Sequence, residues 1–143
     1  GLTLLYVGIS PKPVTKSGKP SPQRLRHRVR YHFQGNAEGS TLRLSLGCLL
    51  TSDLEIQLRR VGSGRRMTFT PYGEEALSEW MDKNAFVTWI THEEPWVLER
   101  TLIESLSIPL NIQDNSHHPF QKTLKAVRSD ARSTAKDISI FDS

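Results

Sequence analysis

The ten residues 24–33, RLRHRVRYHF, constrain this chain more than any other stretch. Leu25, Val29 and Phe33 recur at i, i+4 and i+8, the spacing of one face of a helix, so this stripe is expected to meet a core. Arg24, Arg26, Arg28 and Arg30 stand around it with His27 and His32 among them, and Arg28 and His32, four apart, share one edge. Their charges are expected to point outward, toward solvent or toward something anionic. A solvated basic face on an ordinary helix and a surface for a polyanion remain open as alternatives on this segment alone.

The distribution of charge narrows the choice. Residues 1–37 carry Lys12, Lys16, Lys19 and the four arginines of the helix with no acidic residue, a net of +7, whereas the remaining 106 residues carry 12 basic and 15 acidic groups, a net of −3. A local positive field on an otherwise slightly acidic chain suggests a polyanionic partner. Nucleic acid ranks ahead of an anionic membrane, because no large amphipathic surface helix accompanies the basic one. No apolar run approaches the roughly 18 residues that span a bilayer, and the N-terminal GLTLLYVGI lacks the basic start and small-residue cleavage site of a signal peptide. The lone cysteine, Cys48 within LSLGCLL, excludes an internal disulfide and reads as a small core residue; together these features lead us to expect a cytoplasmic protein.

At 143 residues the chain suits one domain, expected over 1–136 with a frayed tail at 137–143. Leu2 to Ile9 reads as a buried strand, and the proline- and lysine-rich 10–22 as an extended loop. Ser21 and Pro22 supply a cap and a first-turn proline for the basic helix, which is expected to stop near Gly35. A second helix follows from Ser40 to Leu50. Leu54, Ile56 and Leu58 alternate with Glu55, Gln57 and Arg59 in a half-buried strand running to Val61, with Arg66 to Thr70 as its hairpin partner. Further helices are expected from Gly73 to Ala85, from Glu94 or Pro95 up to Pro109, and from Pro119 to Ala135, with a strand over Phe86 to Thr91. Trp80, Trp89 and Trp96 are spaced as core residues, and His117 and His118 read as first-turn polar residues rather than metal ligands.

Four short motifs then fall in order along the chain. Tyr6-Val7-Gly8 ends the first apolar run, Leu25-Arg26-His27-Arg28 is followed four residues on by His32, Glu99 opens E-x-x-L-I, and Asn111 closes Pro109-Leu110-Asn111. Over residues 4–111 this pattern resembles the nuclease family named for its GIY and YIG motifs, which includes homing endonucleases, excision-repair nuclease subunits and some restriction enzymes. The resemblance implies an α/β (α+β) fold, a small central mixed or antiparallel sheet flanked by helices. It also implies a metal-dependent endonuclease that hydrolyses phosphodiester bonds, in DNA ahead of RNA, using one divalent cation, Mg²⁺ or Mn²⁺.

Carried over residue by residue, the resemblance makes Tyr6, Arg28, His32, Glu99 and Asn111 the candidate catalytic residues, with Glu99 the metal ligand and Asn111 in support. Lys12, Lys16, Lys19, Arg24, Arg26 and Arg30 would hold the nucleic acid. The side chains suit these tasks. A guanidinium offsets charge on nonbridging phosphate oxygens through directed hydrogen bonds, and a carboxylate is a hard ligand for Mg²⁺. A phenol of ordinary pKa near 10 needs a neighbouring cation to act as a base at neutral pH, so proton transfer by Tyr6 and by His32 both stay open. One departure stands out: the family's first motif, a G-I-Y run, should precede the Y-V-G, and Gly1-Leu2-Thr3 does not supply it. We therefore expect the partner strand to lie upstream of Gly1. A noncatalytic nucleic-acid-binding module of the same fold is the alternative function.

Overall fold

The computed structural model describes residues 1–10 and 24–142. Its order is α1 (Leu25–Gln34), α2 (Thr41–Leu49), α3 (Thr51–Leu54), β1 (Arg59–Val61), β2 (Arg66–Thr68), α4 (Thr70–Asn84), α5 (Pro95–Ser105) and α6 (Gln121–Asp137). The fold is α+β, helices around a two-stranded antiparallel sheet in which Arg59 faces Thr68, Arg60 faces Met67 and Val61 faces Arg66.

Local rules account for most helix ends. Helix α1 stops where Gly35 donates its N–H to the Tyr31 carbonyl at 2.7 Å. Ser40 caps α2, its Oγ accepting from the Arg43 N–H at 3.1 Å. The glycine inside α2 has a packing reason: the Phe69 ring lies against Gly47, and a Cβ there would overlap it. Pro71 sits in the first turn of α4 and Pro95 in that of α5, where a missing N–H costs no helical bond. Ser21 and Pro22, expected to start α1, lie outside the described residues, and α1 begins at Leu25 behind Arg24.

The core gathers Leu44, Leu46 and Cys48 of α2, Ile56 and Leu58 ahead of the hairpin, Phe69, Leu77 and Met81 of the α4 region, Leu110, and Leu124 of α6. Phe33 of the basic helix packs on its edge. Burial pushes the Cys48 thiol up to about 11, which leaves it protonated and inert at neutral pH. Helix α6 lies against α2 and β1.

Five expectations differ from the structure. Leu54 belongs to α3 and only Arg59–Val61 forms a ladder, although Ile56 and Leu58 are buried as their alternation requires. Leu2 to Ile9 and Phe86 to Thr91 carry no regular secondary structure and join no ladder among the described residues. Leu2 is 79% exposed and Phe86, Trp89 and Ile90 are each about two-thirds exposed or more, so Trp89 is no core residue. Period-two patterning selects an extended chain; a strand also requires a backbone neighbour, which depends on the whole fold. The C-terminal segment is docked rather than frayed: Phe141 donates its N–H to the Arg60 carbonyl at 2.8 Å, and the Arg60 guanidinium donates to the carbonyls of Ala135 and Ile138.

Candidate functional site

Residues Tyr6 to Gly8 cross the edge of α1 that carries Arg28 and His32. The Tyr6 and His32 rings meet edge to face, centroids 5.7 Å apart and planes at 77°. A Cβ on Gly8 would stand 3.1 Å from Tyr6 Cε1 and 3.5 Å from Arg28 Nε, so a glycine lets the chain lie close over both side chains.

Asn111 holds this segment in place. Its Oδ1 accepts the Val7 N–H at 2.9 Å and its Nδ2 donates to the Val7 carbonyl at 2.9 Å. The carboxamide thus offers one residue the donor and acceptor that a strand neighbour would give, and next to it Leu110 donates its N–H to the Leu5 carbonyl at 2.9 Å. The Asn111 loop is itself braced. Buried Asn115 donates to the carbonyls of Ile108 and Asn111, and His117 Nε2 bonds the Ile103 carbonyl of α5 at 3.0 Å. Asn111→Leu is expected to release residues 5–8 with no comparable loss of helix packing. Amide exchange at Val7 should rise by an order of magnitude or more while α2 and α4 amides stay protected, consistent with about 1–3 kcal/mol for two backbone groups left unpaired.

Glu99 lies on the half-buried margin of α5 and faces the same region. Burial raises its carboxyl above the ordinary value, the Arg28 guanidinium lowers it, and the Asp114 carboxylate raises it. Arg28, Glu99 and Asp114 therefore share one electrostatic neighbourhood, with no ion pair closed among them. Arg28 Nε is buried without a hydrogen-bond partner among the described residues.

His32 is neutral near pH 7. Burial, then the charges of Arg28 and Arg43, push its imidazole down to about 4. Its Nδ1 lies 2.7 Å from Ser40 Oγ, the hydroxyl that also caps α2, and its Nε2 is buried without a partner among the described residues. Because the folded-state value lies below the unfolded 6.5, the unfolded chain binds more protons between those limits. This contribution to stability is complete above about pH 6.5 and is lost as the pH falls toward about 4. Glu99, shifted up, contributes in the opposite sense. In His32→Asn the acid limb of a plot of melting temperature against pH should flatten across that window; an unchanged limb would mean that other groups set it.

Tyr6, Arg28, His32, Glu99 and Asn111, drawn from four separate stretches, thus share one region. Arg24, Arg26 and Arg30 are exposed on α1, while Lys12, Lys16 and Lys19 lie outside the described residues. Ser40, which orients His32, and Asp114, which loads Glu99 with negative charge, were not anticipated. Ser40 was legible only as a helix cap, and Asp114 carries a left-handed turn, φ 59°, that a polar D-N dipeptide suits without announcing a site.

A single half-buried carboxylate with a second negative charge beside it fits a cation that takes one or two carboxylates and several waters; no cluster of three or more ligating side chains exists among the described residues. The family model of the GIY-YIG catalytic domain matches residues 1–130. The chain belongs to this family of nucleases, whose members generally use divalent metals and act on nucleic acid. No curated protein and no solved structure matches it.

Proposed function

We propose that the chain, acting as one catalytic domain over 1–136, is a metal-dependent endonuclease of restriction or repair type that hydrolyses phosphodiester bonds in DNA. The observation that carries this reading is the meeting of Tyr6 and Arg28 at Gly8, with His32 edge to face against Tyr6 and Glu99 in electrostatic reach of Arg28.

In this reading Arg28 binds the nonbridging oxygens of the scissile phosphate, where a fixed guanidinium stabilises the charge that builds up on attack. Glu99 holds Mg²⁺ or Mn²⁺, which supplies Lewis-acid stabilisation when bound. A base with a pKa near 4 abstracts protons poorly at neutral pH, so His32 serves to orient Tyr6 rather than to take the proton. Asn111 fixes the backbone that carries Tyr6. Arg24, Arg26 and Arg30 hold flanking phosphates.

The test is incubation with supercoiled plasmid and with duplex or single-stranded DNA and RNA, each with and without Mg²⁺ or Mn²⁺. Nicked or linear product that requires the metal is expected. Salt-sensitive binding with no product under any of these metals would leave a nucleic-acid-binding module and end the endonuclease reading.

A further inference from the structure

A cleft of about 530 Å³ runs along α6, a different helix from the one that carries Arg26, Arg28 and Arg30. Lys125, Arg128, Arg132 and Lys136 line it with the hydroxyls of Ser129 and Ser133. The cations fall at i, i+3, i+7 and i+11, one stripe of a helix, with successive rises of about 4.5–6 Å. None forms an ion pair among the described residues. Like charges three and four apart repel on a helix, so the stripe is not explained by helix stability.

Arg128 adds a second observation. It is half-buried over the α2 side of the helix, its Nε has no partner among the described residues, and burial together with the Arg132 charge lowers its affinity for a proton. The cleft also reaches the catalytic loop. Ile112, which follows Asn111, forms part of its wall, and Gln121 Nε2 of α6 donates to the Ile112 carbonyl at 2.9 Å.

We propose that this cleft is a second phosphodiester track, in which Lys125, Arg128, Arg132 and Lys136 grip the sugar-phosphate backbone of the nucleic acid whose cleavage is assigned to the Tyr6–Arg28–Glu99 region. The inference rests on the nuclease reading for the identity of the polyanion. A stripe of four cations spread over about 16 Å suits a row of phosphates better than a single anion. The serine hydroxyls add neutral donors to the same oxygens.

Lys125, Arg132 and Lys136 are exposed, so glutamine at all three should leave the fold intact, as a thermal melt would verify. Binding of a blunt DNA duplex is measured in EDTA, where no metal-dependent cutting occurs, across a series of KCl concentrations. The plot of log affinity against log salt is expected to lose about 0.9 of its slope per cation removed, between 2 and 3 in all, with affinity at 100 mM salt falling at least tenfold. Lys83→Gln, which removes an exposed charge from α4, should leave the slope within error of the parent. An unchanged slope in the triple variant, with binding still weakened by Arg24→Gln and Arg30→Gln, would overturn the α6 track and leave the nuclease reading standing. Failure of the parent chain to bind any nucleic acid would overturn both.

Discussion

Alanine in place of Arg43 is expected to destabilise the fold by about 3–5 kcal/mol, the cost of breaking a buried ion pair from one side. Arg43 has no solvent exposure and is anchored on every side of its guanidinium. Nη1 donates to the carbonyls of His32 and Phe33 at 3.1 and 3.0 Å and to Ser78 Oγ at 3.0 Å; Nη2 donates to the Glu74 carbonyl at 2.8 Å and to its carboxylate at 3.2 Å. The carbonyls of His32 and Phe33 belong to the last turn of α1, which helix geometry leaves without intrahelical donors. One side chain therefore joins the last turn of α1 and the first turn of α2 to the body of α4. Its removal leaves Glu74 Oε1, on a side chain only 12% exposed, and both carbonyls without their donor, while Glu74 Oε2 keeps the N–H groups of Ala37 and Phe69. Arg43→Lys should recover little, since one ammonium cannot reproduce a planar fork with five donors. Urea denaturation measures the change. A loss below about 1 kcal/mol would mean that the network relaxes around the gap and that the pair is not a keystone of the fold.

Arg28→Ala and Glu99→Gln are expected to cost cleavage at least 10²–10³-fold each while leaving stability unchanged or improved. The two readouts move apart for a physical reason. Arg28 has a buried nitrogen without a partner among the described residues, and the Glu99 carboxyl is held above its ordinary value chiefly by burial, so the Glu99 charge is less favourable in the folded protein than in water. For Glu99 the sign is explicit: a raised folded-state value means that ionisation opposes folding as the pH climbs past the unfolded value. Glutamine cannot ionise, so the gain in melting temperature should be present at neutral pH and shrink as the pH falls toward the ordinary carboxyl range. Residues retained at a cost to stability are the pattern expected of a working site. A large fall in melting temperature in either variant, with activity retained in the folded fraction, would make that residue structural instead.

The basic helix, its stop at Gly35, the Ser40-capped α2, the hairpin around Gly62 and the proline-started α5 were legible because each depends on residues within a turn or two of one another. So was the family, because its motif residues recur in order and with recognisable neighbours. The candidate site was legible as a set of names, Tyr6, Arg28, His32, Glu99 and Asn111, and not as a place. Asn111 illustrates the gap. Its role as a surrogate strand neighbour to Val7 joins positions 104 residues apart, and no local periodicity encodes that pairing. Arg43 is the sharper case, since within α2 it reads as an exposed basic residue on an otherwise apolar helix. Only the approach of α1 and α4 turns it into a fully buried hub. Sequence by itself determined where the chain turns, which faces are apolar and which family the motifs fit, all properties of near neighbours and side-chain chemistry. Tertiary structure alone decided which extended segments found a backbone partner, which cations were buried and what pKa His32 carries, because desolvation and pairing depend on what comes to lie opposite.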